Sequence, residues 1–351
     1  MIIDRMEAVS MQLGQIILTA VNAILPIILL ILLGYILRQK NFVSKEFVKI
    51  GNKLTFKVFL PCSMFINVYG IESFSSINWD VVIYCVAIVV VIFLLGMGTA
   101  VAATSVPERR GVILQCTFRS NFAIIGLPLA AALGSPEATA VAAIVSAFTI
   151  PVYNILAVIA LSIYVGKGES GKSSIRSILL NIVKNPIILG VVAGLVCLVI
   201  RSVEISLFGK VVFSIQRDLK FIHTAVKNLS SLASPFALVV LGGQFVFSAV
   251  KGLLKEITIG IVWRIVLAPV IGLGCAILLN KLGILSCGAN EYPALLALFG
   301  SPVAVSSAIM AEQMHNDEQL ATQLVVWTSI CSIVTIFAFV CVLMGMGLLV
   351  V

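Results

Sequence analysis

The sequence predicts an all-α polytopic membrane protein: ten transmembrane helices in two inverted five-helix repeats, with the fourth and ninth helices broken and crossing. Three observations predict it. Of 351 residues, 60% are hydrophobic and 11% charged, against roughly 45–50% and 25% in an average soluble protein; mean hydropathy is +1.16. The apolar residues gather into ten long runs. The two halves of the chain carry matching motifs in the same order. A spanning helix needs about 20 mostly apolar residues, so this length holds about ten with short loops. The composition excludes a soluble enzyme, a nucleic-acid-binding domain and a disordered chain.

The runs lie at 15–37, 50–70, 79–103, 111–133, 138–165, 178–201, 222–248, 255–279, 287–312 and 319–350. The first is 23 residues long. That exceeds the roughly 7–15-residue core of a signal peptide, and no A-x-A site follows, so it is expected to stay as the first span. The runs are continuous, whereas barrel strands alternate, and lipid leaves the backbone only helices and closed barrels. Eight cysteines lie in or beside apolar runs with no CxxC pair, and His223 and His315 stand apart beside span ends. Neither a disulfide framework nor a metal site is expected, and the cysteines read as small hydrophobes.

Orientation follows from lysine and arginine. One side collects thirteen: Arg38, Lys40, Lys45, Lys49, Lys53, Lys57, Arg109, Arg110, Lys167, Lys172, Arg176, Lys251 and Lys255. The other has Arg5, Arg201, Lys210, Arg217, Lys220 and Lys281. Positive residues favour the cytoplasm, which puts both termini outside and explains the net charge of +8 without an acidic macromolecular partner. Segment 202–221 is the exception, basic yet external. Its VVFSIQRDLKFI pattern suggests an amphipathic piece on the membrane surface.

The repeat pairs Pro26 of PIILLILLG with Pro186 of PIILGVVAG, Gly96-Met97-Gly98 with Gly272-Leu273-Gly274, Gly126-Leu127-Pro128 with Gly300-Ser301-Pro302, and Pro61 with Pro235. The offsets are 160, 176, 174 and 174. One insertion near 202–221 reconciles the first with the rest. The organisation expected is a first repeat at 1–165, a cytoplasmic loop at 166–177 and a second repeat at 178–351. Five spans per half means the second enters the membrane inverted, as in secondary transporters.

The fourth and ninth runs hold the polar residues. CTFRSNFAIIGLPLAAALG places Arg119, Ser120 and Asn121 near mid-membrane, with Gly126 and Pro128 beyond. ALLALFGSPVAVSSAIMAEQ places Gly300, Ser301, Pro302, Ser306 and Ser307 there. Proline removes a donor and clashes one turn back, so both helices are expected to break at these motifs. Half-helix N-termini would then face the midplane with free N–H groups suited to an anion. The substrate-binding set expected is Ser120, Asn121, Gly126, Pro128, Ser301, Pro302, Ser306 and Ser307. Intramembrane cations are functional candidates, and Arg119, Arg264 and Lys184 are the candidate counter-charges. No Asp or Glu lies deep in a run; Glu312 sits near an end. No HExxH, paired intramembrane Asp or Walker loop is present, so neither enzyme chemistry, a cofactor nor a nucleotide engine is expected.

These residues resemble the auxin efflux carrier family, which includes plant auxin carriers and bacterial malate or malonate permease-like proteins. KLTFKVFLPCSMFINVYG is similar to its second span, SNFAIIGLPLAAALG to its fourth, KNPIILGVVAG to its sixth and SLASPFALVVLGG to its seventh. SPVAVSSAIMAEQM followed by DEQLA resembles its ninth and the start of its tenth. The resemblance implies a scaffold of spans 1, 2, 6 and 7, a transport domain of the rest, elevator-type movement and a homodimer. In the plant carriers an Asn seven residues before the fourth-span Pro contacts the substrate carboxylate, which implies that role for Asn121, seven before Pro128. The plant ninth span has a second Pro where this chain has Ser307, which turns the expectation from auxin to a smaller, more polar anion. The function expected is a gradient-driven carrier of small organic anions in a bacterial-type plasma membrane, with proton coupling as a candidate energy source. A non-transporting sensor on the same scaffold and an anion channel are the alternatives; a sensor would carry an added signalling domain, and none is visible after the tenth run.

Overall fold

The computed structural model describes residues 25–70, 78–165, 180 and 183–349, and all structural statements concern these. The start of the first run, most of the loop at 70–78 and the loop at 166–177 lie outside them. Among the described residues the chain is helical, with no strand. The helices are α1 (Leu25–Gln39), α2 (45–69), α3 (Trp79–Ala103), α4 (Pro107–Phe118), α5 (Phe122–Leu133), α6 (Pro136–Ile163), α7 (Pro186–Phe208), α8 (Lys220–Gln244), α9 (Phe247–Lys281), α10 (Glu291–Gly300), α11 (Ser306–Gln313) and α12 (Glu318–Gly345). Six are long and apolar enough to cross a membrane: α3, α6, α7, α8, α9 and α12.

Local chemistry sets the starts. Ser44, Asn78, Ser135, Asn185 and Asp317 each cap a helix, their side chains accepting from a backbone N–H of the first turn, which satisfies a donor the helix cannot. Pro107, Pro136 and Pro186 sit in first turns, where no N–H is missed.

Three boundaries differ from the sequence expectation. Helix α7 runs on to Phe208 and stops at Gly209, whose φ of 68° is a left-handed cap. Residues 209–219, which hold the single turn Ile215–Asp218, separate it from α8, so the expected surface piece is in part the extension of one helix and the start of the next. Helix α9 starts at Phe247, so Lys251 and Lys255 ride its first turns, exposed, instead of forming a loop. Helix α2 begins at Lys45 and contains a wide π turn, Thr55–Phe59.

Packing sorts the helices into two groups. Helices α7 and α8 both pack on α2, and α1 joins them through α8: a Cβ on Gly34 would strike the Val239 carbonyl, and one on Gly242 the Ile31 carbonyl. Such small-residue contacts let membrane helices approach closely. The second group is α3 to α6 with α9 to α12. Arg109 ties α4 to α9 through Glu256 at 2.9 Å, and to Asp317 ahead of α12 at 3.0 Å. The groups meet along a seam where α11 faces α2 and α8, and α6 faces α2 and α7.

Candidate functional site

The site begins with two interruptions. After α4 the chain extends at Arg119, Ser120 and Asn121 and re-forms as α5. After α10 it extends from Ser301 and resumes as α11. The breaks pair with each other. Asn121 N donates to Pro302 O at 2.7 Å, Ala304 N donates to Arg119 O at 3.3 Å, and Ser120 and Val303 stand opposite as an antiparallel bridge. Val303 N also donates to Thr328 Oγ1 of α12 at 3.2 Å. Unwound backbone far from water must find partners, and here each break supplies them to the other.

The first break is not where proline chemistry alone would put it. Gly126 closes a π turn at the start of α5, and Pro128 lies just after it. The wide turn absorbs the clash and missing donor of Pro128. Gly126 serves close packing instead: an added Cβ there would meet the Phe122 ring and the Ala297 carbonyl of α10. In the second break Gly300-Ser301-Pro302 does mark the exit from the helix.

The crossing faces a cavity of about 80 Å³. Its inner wall is Arg119, Ser120, Asn121, the first turn of α5 (Phe122, Ala123, Ile124), and Ala304, Val305 and Ser306. Two helix starts, with their unpaired N–H groups and positive dipole ends, therefore face one space. The opposite wall comes from the other helix group: Leu60, Ser63, Met64 and Asn67 of α2, Ile187 of α7, and Ala233, Ser234 and Ala237 of α8. Among the described residues lining it there is one cation and no carboxylate. Asn121 is 3% exposed, and its Nδ2 has no partner among the described residues.

Arg119 is held by side chains. Its Nη2 donates to Asn154 Oδ1 at 2.7 Å and to Ser306 Oγ at 2.9 Å, and its Nη1 lies against Met310 Sδ. With its amide oriented to suit its neighbours, Gln115 accepts from Arg119 Nη1 at 2.8 Å and donates to the Ser307 carbonyl at 3.2 Å. Arg264, on the π turn Trp263–Leu267 of α9, lies behind the crossing, 1% exposed. Its Nη1 donates to Thr117 O at 3.3 Å, and its Nη2 donates to Phe299 O and, at 3.5 Å, to Leu298 O. Those carbonyls end α4 and α10, so one guanidinium caps the negative ends of both first half-helices.

Of the residues expected at the site, Ser120, Asn121, Ser306 and Arg119 come together around the cavity. Gly126, Pro128, Ser301, Pro302 and Ser307 are within the crossing but not among the lining residues; Ser301 Oγ donates to Ala297 O at 2.6 Å, and buried Ser307 Oγ has no partner among the described residues. Lys184 is exposed, just ahead of α7. Sequence reasoning missed Gln115, Asn154 and Asn67. Their signal was a lone amide in an apolar run, which needs an internal partner in lipid.

Comparison with known proteins adds two findings. A family model described as membrane transport protein matches residues 19–340. A protein of Methanocaldococcus jannaschii described as an uncharacterized transporter is 23% identical over 322 residues, which cover 90% of this chain and 96% of that relative.

Proposed function

The chain belongs to the membrane transport protein family, which is the auxin efflux carrier family its sequence resembles, and on that premise we propose that it is a secondary active carrier of small organic anions, carboxylates foremost, with the substrate at the crossing. The observation that carries the reading is the cavity itself. Two helix N-termini, the guanidinium of Arg119 and an unpartnered Asn121 amide converge on one space with no carboxylate in its lining. Such a space repels cations and lets an anion accept from fixed donors. Arg119 already spends at least four donor contacts on its neighbours, so its part is charge, and Asn121 with the first turn of α5 supplies the hydrogen bonds. The small volume suits a compact anion.

The movement proposed is of elevator type, with α1, α2, α7 and α8 as the scaffold and the remaining helices carrying the crossing past it. The cavity is split along that seam, and its scaffold wall is mainly apolar or small. The proposed fold is ten spans in two inverted repeats, with α4–α5 and α10–α11 as the broken fourth and ninth. Packing supports the repeat. Offsets of 160 and 174 carry Gly34 onto Gly194 and Phe65 onto Val239. An added Cβ on Gly34 would meet the Val239 carbonyl, and one on Gly194 would lie 3.2 Å from the Phe65 carbonyl. The lysine and arginine asymmetry supports a plasma-membrane orientation with both termini outside, and the family resemblance supports a homodimer.

The test is flux. Protein in liposomes, offered labelled malonate, succinate and acetate in turn, should move at least one of them down an imposed gradient without ATP, saturably. Asn121→Ala should raise its KM about ten- to hundredfold, the equivalent of roughly 1.5–3 kcal/mol for a hydrogen bond to a charge. It should leave the stability of the empty protein unchanged, because that amide nitrogen has no partner among the described residues. An absolute requirement for ATP sinks the carrier reading. Unsaturable flux favours a channel, and an unchanged KM moves the substrate away from Asn121.

A further inference from the structure

We propose that a second, larger cavity, lined by Arg38, Lys45, Lys49 and Lys53, is an anion-collecting vestibule for the crossing, and that Asn52 stands at the head of the passage between the two. The inference deepens the carrier reading and rests on it.

The vestibule encloses about 1040 Å³ at the seam of the two helix groups. Its four cations outnumber the two carboxylates in its lining, Glu312 and Glu318. Glu312 is also engaged, accepting from Gln244 Nε2 at 2.9 Å. A concave, low-dielectric surface with an excess of one sign focuses its field, and raises counter-ion concentration and arrival rate by about 10–10³.

The two cavities lie along the same three helices. On α2 the vestibule reaches Lys53 and the crossing cavity begins at Leu60. On α8 the corresponding residues are Gly243 and Ala237, and on α11 they are Glu312 and Ser306. Six or seven residues separate them each time, about 9–10 Å at 1.5 Å per residue. Roughly two helical turns close the path.

Asn52 stands at the head of that interval, beside Lys53, and Thr55 lies within it. Lys45, Val48, Lys49 and Asn52 fall at i, i+3, i+4 and i+7, one stripe of a helix, and the first three line the vestibule. Asn52 therefore continues that stripe to the level of Lys53, the innermost vestibule cation on α2. It is fully buried, and neither its Oδ1 nor its Nδ2 has a partner among the described residues. A buried polar atom left without a partner is costly, so it is retained where something else satisfies it. Thr55, the next polar residue inward, is satisfied by donating to Gly51 O at 2.9 Å. Phe56 and Phe59 are buried in the π turn that follows; such turns recur at functional positions. Helix α11 packs against this stretch of α2 and carries another buried orphan, Ser307 Oγ. Beyond lies the unpartnered Nδ2 of Asn121. Unpaired polar groups thus run from the basic cavity to the crossing, where a passing anion and its water would satisfy them as α11 parts from α2.

The test uses charged thiol reagents on the full chain in a cysteine-free background. Asn52→Cys and, as a second reporter should that variant not fold, Thr55→Cys are reacted with a sulfonate-bearing and a quaternary-ammonium-bearing methanethiosulfonate. Rates are normalised to those with a free thiol in solution, and Lys53→Cys marks the open vestibule. The sulfonate should react at least tenfold faster than the ammonium. The preference should fall towards parity in 1 M salt, where the screening length is about 3 Å, and on Lys45→Gln with Lys49→Gln. No labelling at either reporter overturns the passage. Equal normalised rates, or a preference for the ammonium, overturn the collecting role. No transported substrate is needed, so this failure is separable from failure of the carrier reading, which the flux assay detects.

Discussion

The front and the back of the crossing each hold one buried arginine, and the two are restrained by different kinds of group. At the front Arg119 bonds to side chains, Asn154, Ser306 and Gln115, and lines the cavity. At the back Arg264 bonds only to main-chain carbonyls that end α4 and α10. Helix C-termini carry about half a negative charge each, so Arg264 sits where the fold itself compensates it. Arg119 sits where the helix ends are positive, and among the described residues its partners are neutral oxygens and the sulfur of Met310. The difference teaches that a buried charge answered by main chain is part of the frame, whereas one answered only by neutral side chains awaits an ion.

That contrast is broken most directly at Arg264. Arg264→Met leaves two half-helix ends without a charged donor, each hydrogen bond of that kind being worth about 1.5–3 kcal/mol. A loss of about 3–6 kcal/mol is expected, read as a large fall in the thermal midpoint of purified protein together with lost flux. Arg264→Lys should recover only part, since an ammonium lacks the planar fork that reaches carbonyls of both helices. An Arg264→Met protein that keeps its midpoint would show that the back of the crossing does not need this guanidinium.

Arg119→Gln probes the front and should act in the other currency. Anion affinity should drop about ten- to hundredfold through loss of a charge-assisted interaction, with a smaller fall in the midpoint than at Arg264. The measurement is KM in the flux assay beside the thermal midpoint of the same preparation. A midpoint that falls further for Arg119→Gln than for Arg264→Met, with KM unchanged, would exchange the two roles.

The sequence made the helices legible because lipid demands long apolar runs, and it placed Arg119, Ser120 and Asn121 in the right segment because polar residues are costly there. It could not separate the two arginines. Arg119 and Arg264 both look like a cation inside an apolar run, and only the fold reveals that one meets carbonyls from residues 117, 298 and 299. Nor could it find the cavity's outer wall, since Leu60, Ser63 and Ala233 are ordinary core residues until α2 and α8 bring them opposite the crossing. The far end of α7 and the start of α9 escape a reading of the sequence because loop-like charges at Arg201, Lys251 and Lys255 ride on helix.

The smallest expected effect sharpens where the first break lies. A Gly-x-Pro motif suggests that Pro128 opens the helix, and then Pro128→Ala would let it close and withdraw the donors facing the cavity. The helix instead starts at Phe122, and the interruption at 119–121 is stabilised by backbone pairing with Pro302 and Ala304 and by the contacts of Arg119. None of those contacts involves Pro128. The π turn Phe122–Gly126 ahead of Pro128 already accommodates the ring, so alanine removes a constraint that the fold has absorbed. Within an existing helix the exchange should change stability by less than about 1 kcal/mol, well below the roughly 3 kcal/mol that proline costs in an undistorted helix interior. Flux and KM should stay within about twofold of the unmodified protein. A collapse of flux in well-folded Pro128→Ala would mean that proline, and not the pairing of the two breaks, holds the crossing open.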